Sequence, residues 1–341
     1  MLRSKIFKVL ATIGIITSAI FAQNDGDTKT ITAGGTSIEV VFVKAGSFWT
    51  ESGRRITLTE SFWIGKYPIT QVQYEAVMGN NPSFFSGNPN NPVEQITWNN
   101  ANGFAVAVGG FLPTEAQWEF AARGGNKSEG YTYSGSDDLN EVGWYRTNRL
   151  TARTQPVGQL KPNELGIYDM SGNVFEWAAD WLWHDYPSSD TNPKGPNHDG
   201  IWGAIRVNRG GSWSSNEDAC QVFCRNGSYP GDYDYHGNRM GFRVAFPAQN
   251  NTAITQTASK KPTSFSIAGM SNGQVNLQLQ AGNYTAELYN LQGRLIGKTE
   301  ITATNGINAT GLRVDNLSNG IFILNVKQEG VSVLSGRISV R

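Results

Sequence analysis

Residues 112–123 read LPTEAQWEFAAR, and they decide how the sequence around them is interpreted. Thr114 suits the position before a helix, because its hydroxyl can accept from a backbone N–H of the first turn. Trp118, Ala121 and Ala122 then recur at helical spacing and share one apolar face. The stretch predicts a short, capped helix that packs on a core through a tryptophan and two alanines.

The chain as a whole is rich in glycine and tryptophan and poor in charge. Of 341 residues, 39 are Gly and 10 are Trp, while charged residues make up 16%. Helical bundles need more charged helix formers than this, and 39% hydrophobic residues exclude a disordered chain. Lys plus Arg and Asp plus Glu number 28 each, so the basic excess of a nucleic-acid-binding protein is missing. The length suggests roughly two domains.

The first 22 residues, MLRSKIFKVLATIGIITSAIFA, have the order of a secretory signal. Three basic residues begin it, an apolar run from Val9 to Phe21 follows, and Ala19 and Ala22 suit a cleavage site. The alternative is a buried or membrane-anchoring helix, but the run is shorter than the ~20 residues of a span. We expect residues 1–22 to be a signal peptide that is removed on export, and no other segment reaches transmembrane length.

The composition changes after Pro247. Residues 248–263 are polar and contain no aromatic residue, which is typical of a linker. Between 264 and 341, short alternating runs such as VNLQL (275–279) and YTAELY (284–289) indicate half-buried strands. These runs predict a small all-β C-terminal sandwich, and nothing in them points to catalysis.

The same C-terminal region carries an ordered set of motifs. They are YNLQGRLIGKT at 289–299 and LRVDNLSNGIFILNVKQEGVSVLSGRISVR at 312–341. The region resembles the C-terminal sorting domain of type IX secretion substrates. This resemblance implies that the type IX secretion machinery is a partner, and that the chain passes through the periplasm to be secreted or kept at the outer cell surface. An ordinary carbohydrate-binding or adhesive β-sandwich is the alternative.

Seven motifs follow one another in the central region. They are IGKYPIT, VMGNNPS, PVEQITW, LPTEAQWEFAARGG, GIYDMSGNVFEWAADW, RGGSW and GFRVAF. In this order they resemble the formylglycine-generating-enzyme, or sulfatase-modifying-factor, family over residues 36–247. The resemblance implies an α+β, loop-rich domain of the C-type-lectin-like kind. The composition suits such a domain, since tight turns use Gly and large aromatic side chains fill a core that has few helices.

The resemblance also implies where an active site would lie. Active members oxidise a sulfatase cysteine with oxygen and copper held by two thiolates, the soft ligands that Cu(I) prefers. The family places these cysteines third and eighth after the serine of Gly-Gly-Ser, here Ser212, which gives Ser215 and Cys220. Counting back from the family's later arginine, matched by Arg225, gives Glu217 instead of Cys220. Either count leaves at most one thiolate, so we expect no copper site, and Ser212, Cys220 and Arg225 stay as candidates for another catalysis.

Cys220 and Cys224 are the only two cysteines. An even count in an exported chain favours a disulfide, but residues four apart on a strand lie ~13 Å from each other, beyond disulfide reach. Gln221–Phe223 is strand-like, which favours two unpaired, mostly buried cysteines. A local disulfide in a turn or helix, or a metal-binding pair, is the alternative.

Calcium is the cofactor that the resemblance suggests. Side-chain oxygens of Asp169 and Glu176 and backbone carbonyls of Gly172 and Val174 would form a hard-oxygen site, which Ca²⁺ prefers. Acidic residues at both ends of an eight-residue loop containing Gly fit this chemistry. The alternative is a plain turn with solvated carboxylates. The insertion that accompanies a second calcium site in active members is missing.

Two classes of function compete. The first is a non-catalytic binding or structural module, displayed at the cell surface, whose peptide or glycan ligand would lie in an aromatic groove. The groove would hold Trp202, Trp213, His236 and Arg239, with Trp183, Tyr229, Tyr233 and Tyr235. The second is an enzyme that modifies an exported protein or small molecule, with Ser212, Arg225, His236 and Arg239 as first candidates. The histidines share no close spacing, so the iron site of the family's sulfoxide synthases is not expected.

The net charge of zero is the sum of three segments whose charges differ in sign. Residues 1–22 hold three basic residues and no acidic one, and residues 23–247 hold 17 basic and 24 acidic residues. Residues 248–341 hold 8 basic and 4 acidic residues. The sequence therefore predicts an acidic body joined to a basic export tail.

Overall fold

The computed structural model describes most of the N-terminal region and the strands of the C-terminal region. The described residues are 23–148, 152–183, 189–195, 205–230, 237–248, 266–271, 274–279, 282–290, 295–303, 309–313, 320–328 and 331–340. The predicted signal peptide and the predicted linker beyond Ala248 lie outside them, as do Trp202, Tyr233, Tyr235 and the three histidines. Within these ranges no helix is long and apolar enough to span a bilayer.

Strands organise the region before the linker. They are β1 Thr28–Ala33, β2 Thr36–Val43, β3 Gly46–Trp49, β4 Arg55–Leu58, β5 Phe62–Gly65, β6 Phe175–Trp181, β7 Arg206–Arg209, β8 Arg225–Ser228, β9 Met240–Gly241 and β10 Ala245–Pro247. One sheet has the order β1-β2-β5-β10, a second has the order β8-β7-β6-β9, and β3 pairs with β4. The β6–β9 pair is parallel, whereas β1–β2, β2–β5 and β6–β7 are antiparallel. The segment from Met240 to Pro247 thus contributes to both larger sheets.

Short helices pack on these sheets. They are α1 Gln71–Met78, α2 Trp98–Ala107, α3 Glu115–Ala122 and α4 Leu139–Val142. Thr70, Thr97 and Thr114 precede the first three, and each hydroxyl accepts from the backbone N–H three residues on. Such a cap stabilises a helix by about 1 kcal/mol. The predicted helices after Thr70 and Thr114 are confirmed, and Trp118 of α3 is fully buried as expected.

β2 and β5 separate two apolar layers. Val40 and Phe42 of β2 join Trp63 of β5 in one buried cluster, which also contains α1 and α2 residues. Val41 and Val43 join a second cluster that contains Trp118 and Phe120 of α3. Successive side chains of a strand point to opposite faces, so a strand covered on both sides must be apolar throughout. This explains the unbroken run VVFV at 40–43.

In the C-terminal region the regular elements of the described residues are all strands. Its strands are β11 Ser266–Ser271, β12 Gln274–Gln278, β13 Gly282–Asn290, β14 Leu295–Ala303, β15 Ala309–Arg313, β16 Gly320–Gln328 and β17 Val331–Val340. They form two antiparallel sheets with the orders β11-β12-β15 and β14-β13-β16-β17. Tyr284, Ala286 and Leu288 are buried on alternate positions of β13. The strands expected around VNLQL and YTAELY are therefore confirmed.

Candidate functional site

The Gly210–Gly211 turn packs directly on Cys220. Both glycines are left-handed, with φ of 89° and 71°, and a Cβ on Gly211 would lie 2.6 Å from the Cys220 Sγ. The thiol therefore fills space that only glycine leaves. Cys220 is fully buried, and burial raises the pKa of its thiol to about 12. Because the thiolate is the reactive form of cysteine, this buried thiol is poorly suited to act as a nucleophile.

Serine hydroxyls bind one another at the position expected for the other thiolate. The Oγ of Ser215 accepts from the Ser212 N–H at 2.9 Å and lies 3.1 Å from the Ser212 Oγ. The Ser214 Oγ lies 3.4 Å from the same Ser212 oxygen. Ser212 itself is fully buried. These contacts stabilise the turn that covers Cys220.

Gln221–Phe223 is a turn, so the strand predicted there is wrong. It follows a short 3-10 helix over Glu217–Cys220, and the Gln221 carbonyl accepts from the Cys224 N–H at 3.0 Å. Val222 packs into the second core cluster from within this turn, which explains why an apolar pattern suggested a strand. Both cysteines are free thiols. Burial raises the pKa of the Cys224 thiol, with partial opposition from Arg209.

Arg225 binds a buried carboxylate. Its Nε and Nη2 donate to the two oxygens of Glu115 at 2.7 Å each, and its Nη1 donates to the Trp183 carbonyl at 3.0 Å. Arg209, which is fully buried, forms an ion pair with Glu119 of the same helix. The two arginines join α3 to β7 and β8. The geometry therefore gives Arg225 a structural partner rather than a free guanidinium in a catalytic groove.

Glu176, one of the predicted calcium ligands, is paired with an arginine. Arg243 donates to it from Nε at 2.6 Å and from Nη2 at 2.7 Å, and the Trp118 Nε1 donates at 2.7 Å. Glu176 and Arg243 are both fully buried. A guanidinium thus already supplies the positive charge that Ca²⁺ would bring, so these residues do not fit a calcium cage that includes Glu176.

Asp169 lies in a separate hydrogen-bonded turn. Its carboxylate accepts from the Gly158 N–H at 2.7 Å and from the Asn173 Nδ2 at 3.4 Å. Burial raises the pKa of Asp169 to about 6. The Gly172 N–H donates to the Gly210 carbonyl, while Val174 is buried in the same segment. In the part of the chain described, no three His, Cys, Asp or Glu side chains are grouped so that they could hold a metal ion. Calcium at the four predicted residues stays a prediction, and the pairing of Glu176 with Arg243 argues against it.

Aromatic rings and arginines form a contiguous cluster on the surface beside the Ser212 turn. The Phe85 ring lies 5.4 Å from the Trp213 ring at 84°, and the Phe84 ring lies 5.0 Å from Phe85 at 82°. The Arg153 guanidinium lies 5.8 Å from the Phe85 centroid, and the Arg239 guanidinium lies 5.9 Å from that of Trp213. We call these five residues the Phe-Trp-Arg surface. It brings together Trp213 and Arg239 of the predicted groove.

The other predicted groove residues are only partly described. Trp183 and Tyr229 are exposed, at 40% and 53%. Trp202 and His236 lie outside the described residues, so their place in a groove stays a prediction.

A buried carboxyl lies directly behind Phe84 and Phe85. Glu94 is fully buried, and its Oε1 accepts from the Phe85 N–H at 2.7 Å. Its Oε2 has no hydrogen-bond partner among the described residues. Burial raises the pKa of Glu94 to about 7, although the backbone N–H groups of Phe85 and Phe84 oppose the shift. Gln71 of α1 also donates to the Phe85 carbonyl at 3.1 Å.

Sequence reasoning missed Phe84, Phe85, Glu94 and Arg153. One signal was available: Phe84 and Phe85 are adjacent aromatic residues in the otherwise polar stretch NNPSFFSGN (80–88), which has no apolar pattern of a helix or strand to bury them. Arg153 had no comparable signal, since only the fold places it over Phe85.

Comparison with known proteins identifies both regions. The model of the sulfatase-modifying factor enzyme 1-like domain matches residues 26–248, and that of the secretion system C-terminal sorting domain matches residues 271–340. The chaperone protein LppX of Paenibacillus barcinonensis is 36% identical over 267 residues, covering 60% of this chain and 88% of LppX. The formylglycine-generating enzyme of Streptomyces coelicolor is 36% identical over 181 residues, covering 48% of this chain. The chain spans 55% of that enzyme's length.

Solved structures share the fold. Treponema denticola variable protein 1 superposes with a TM-score of 0.56 at 28% identity, covering 64% of this chain and 99% of its own. PvdO from Pseudomonas aeruginosa superposes with a TM-score of 0.55 at 24% identity, covering 66% of this chain and all of its own. The expected α+β, loop-rich C-type-lectin-like fold is confirmed. The sorting domain implies an exported protein, secreted or at the outer surface. Since one family model matches more than half of its length, the chain belongs to the sulfatase-modifying factor enzyme 1-like family and carries a secretion sorting domain behind that region.

Proposed function

We propose that this protein is a non-catalytic binding module that type IX secretion delivers to the outer cell surface or the medium. The observation that carries the proposal is the state of Cys220. Its thiol is buried beneath Gly211, and Ser215 stands at the other expected copper position. A Cu(I) oxidase of the family's kind needs two thiolates that can reach the metal and the substrate.

A protein is the ligand class that the comparisons favour. LppX, which matches along 88% of its length, is named a chaperone. The Phe-Trp-Arg surface offers the exposed Phe84 ring beside two further aromatic rings and two guanidinium groups, and aromatic residues and arginine are enriched where proteins bind one another. The alternative of an enzyme that uses Ser212 and Arg225 has less support, because Ser212 binds neighbouring serines and Arg225 binds Glu115.

A metal and activity measurement tests the non-catalytic assignment. Residues 23–341 would be purified, and bound copper, iron and calcium measured by mass spectrometry after dialysis. The same protein would be incubated with copper, oxygen and a cysteine-containing sulfatase peptide, with an active formylglycine-generating enzyme as positive control. We expect no retained copper and no aldehyde product. Retention of about one copper per chain together with conversion of the peptide would overturn the proposal.

Export is tested separately. A chain that lacks residues 264–341 should accumulate in the periplasm, because the sorting domain that the secretion machinery recognises is gone. The full chain, expressed in the same cells, is the control. If the truncated chain reaches the medium or the cell surface at the level of the full chain, the assignment of type IX secretion is wrong.

A further inference from the structure

The cluster of aromatic rings and arginines around the exposed Phe84 has features of a docking site. We propose that the Phe-Trp-Arg surface binds a protein segment that presents an apolar side chain next to carboxylates. This inference rests on the proposed binding function and adds the chemistry of the partner.

The rings leave an apolar surface open to solvent. Phe84 is 64% exposed and Phe85 is half-buried, while Trp213, at 8% exposure, forms the base of the cluster. The Trp213 Nε1 donates to the Asn238 carbonyl at 2.9 Å, which fixes the indole in place. An incoming apolar side chain that covered Phe84 would remove a large aromatic surface from water, and buried aromatic anchors dominate many protein interfaces.

The arginines make this patch basic in an acidic region. Arg209, Arg225 and Arg243 each bind a glutamate. By contrast, no carboxylate within the described ranges lies at ion-pair distance from Arg153 or Arg239, whose guanidinium groups lie over rings instead. Residues 23–247 hold 24 acidic and 17 basic residues, so a surface that brings together two arginines, neither paired with a carboxylate of the described residues, differs in charge from this acidic region as a whole. They complement an anionic partner, and arginine binds carboxylates strongly.

Ring geometry favours a protein segment over a sugar. Sugars stack on the flat face of an exposed ring, but here successive rings are nearly perpendicular, at 82° and 84°. Trp213 exposes too little of its face to serve as a platform. Perpendicular rings instead accept side chains in edge-to-face contact, which is the preferred packing of aromatic groups.

The loop that presents Phe84 and Phe85 is already held in one conformation. The Gln71 Nε2 donates to the Phe85 carbonyl, the Glu94 Oε1 accepts from the Phe85 N–H, and the Glu94 N–H donates to the Ser83 Oγ at 3.2 Å. The Asn81 Oδ1 also accepts from the Ser83 N–H at 3.1 Å. A surface fixed before binding loses little conformational entropy when the partner arrives.

Fluorescence anisotropy with labelled synthetic peptides tests the proposal on residues 23–341. The probe is a peptide in which Phe alternates with Asp and Glu. Matched peptides replace the acidic residues by Lys, or Phe by Ser, and polygalacturonate serves as an anionic glycan competitor. We expect only the acidic Phe peptide to bind, with an affinity that falls as salt is added. Equal binding of the Lys peptide would overturn the inference. So would displacement of the acidic Phe peptide by polygalacturonate at a similar concentration of carboxylate groups.

Variants locate the binding. The double variant Arg153→Gln, Arg239→Gln should weaken binding of the acidic Phe peptide by about tenfold or more, and Phe84→Ser by about fivefold or more. Two control variants change exposed residues elsewhere in the same region. Arg55→Gln removes an exposed arginine, and Trp49→Ser removes a ring that is 63% exposed. Both should leave the affinity for the acidic Phe peptide unchanged. Unchanged urea midpoints show that each variant is folded. Full binding by the double variant would show that the surface is not the site, whereas the metal and peptide-oxidation assays judge the proposed function independently.

Discussion

Replacing Glu94 by Gln should stabilise the protein at neutral and alkaline pH but not at acidic pH. Glu94 is fully buried, with a pKa of about 7 against 4.5 for an ordinary glutamate. Between these two values the folded chain keeps a proton that the unfolded chain has released, so the free energy of unfolding falls as pH rises. Gln keeps an oxygen that can accept from the Phe85 N–H, and it does not titrate.

The expected size follows from the two pKa values. They differ by about 2.5 units, and one unit corresponds to about 1.36 kcal/mol, so Glu94 lowers the free energy of unfolding by about 3 kcal/mol on going from below pH 4.5 to above pH 7. E94Q does not experience this loss. Asp169, with a pKa of about 6, titrates in both proteins, so its contribution cancels when the two are compared.

Urea unfolding followed by tryptophan fluorescence measures the effect. All ten tryptophans lie between Trp49 and Trp213, so the signal reports the family domain and not the sorting domain. Glu60→Gln, at an exposed position, is the matched control and should change the free energy of unfolding by less than about 0.5 kcal/mol. Glu94→Ala also lacks the titrating carboxyl but removes the acceptor of the Phe85 N–H, so it should be about 1–3 kcal/mol less stable than E94Q near pH 4.5 and near pH 8 alike. If E94Q and wild type differ by the same amount near pH 4.5 and near pH 8, the reasoning about this buried carboxyl is refuted.

Three further variants or measurements examine other parts of the site. Arg243→Met should lower the free energy of unfolding by about 3–5 kcal/mol, because it leaves Glu176 buried without its arginine. The control Lys161→Met breaks an exposed ion pair with Glu141 and should lower it by less than about 1 kcal/mol. Equal losses in the two variants would contradict the prediction. Gly211→Ala should lower the free energy of unfolding by clearly more than the ~1 kcal/mol expected for Gly53→Ala. Both glycines are left-handed, but only a Cβ at position 211 would meet the Cys220 Sγ. Similar urea midpoints for the two variants would show that the thiol does not fill that space. Near pH 8, iodoacetamide should modify Cys224 in the folded protein and leave Cys220 unmodified, as read by peptide mass spectrometry, whereas rapid native labelling of Cys220 would disprove its burial.

Features that depend on neighbours in the chain could be predicted from the sequence. Thr70 and Thr114 are local signals, and the helices after them are where the spacing placed them. The alternation of Tyr284, Ala286 and Leu288 is equally local, and β13 buries these residues as expected. In these elements the backbone hydrogen bonds and the buried face follow from residues a few positions apart.

Features that depend on distant residues could not be predicted. Nothing near Glu176 shows that Arg243 will neutralise it, and this pairing is what makes the calcium ligand set a poor fit. The turn at Gln221–Phe223 was mistaken for a strand because a core built from loops buries apolar residues without a regular period. The Phe-Trp-Arg surface combines four separate stretches of chain, which carry Phe84 and Phe85, Arg153, Trp213 and Arg239. No single stretch therefore revealed it.

The position of Met240–Pro247 has a consequence for the order of events during export. β9 pairs with β6, β10 pairs with β5, and Arg243 between them neutralises Glu176. A chain that emerges from its N-terminus therefore cannot complete one large sheet before residue 241 has appeared, nor the other before residue 247, and contacts between segments so far apart form slowly. The sorting strands from Ser266 onward emerge later still. The strands that complete the two sheets thus emerge before the sorting domain does, so the first region can close before the sorting domain is ready to be recognised.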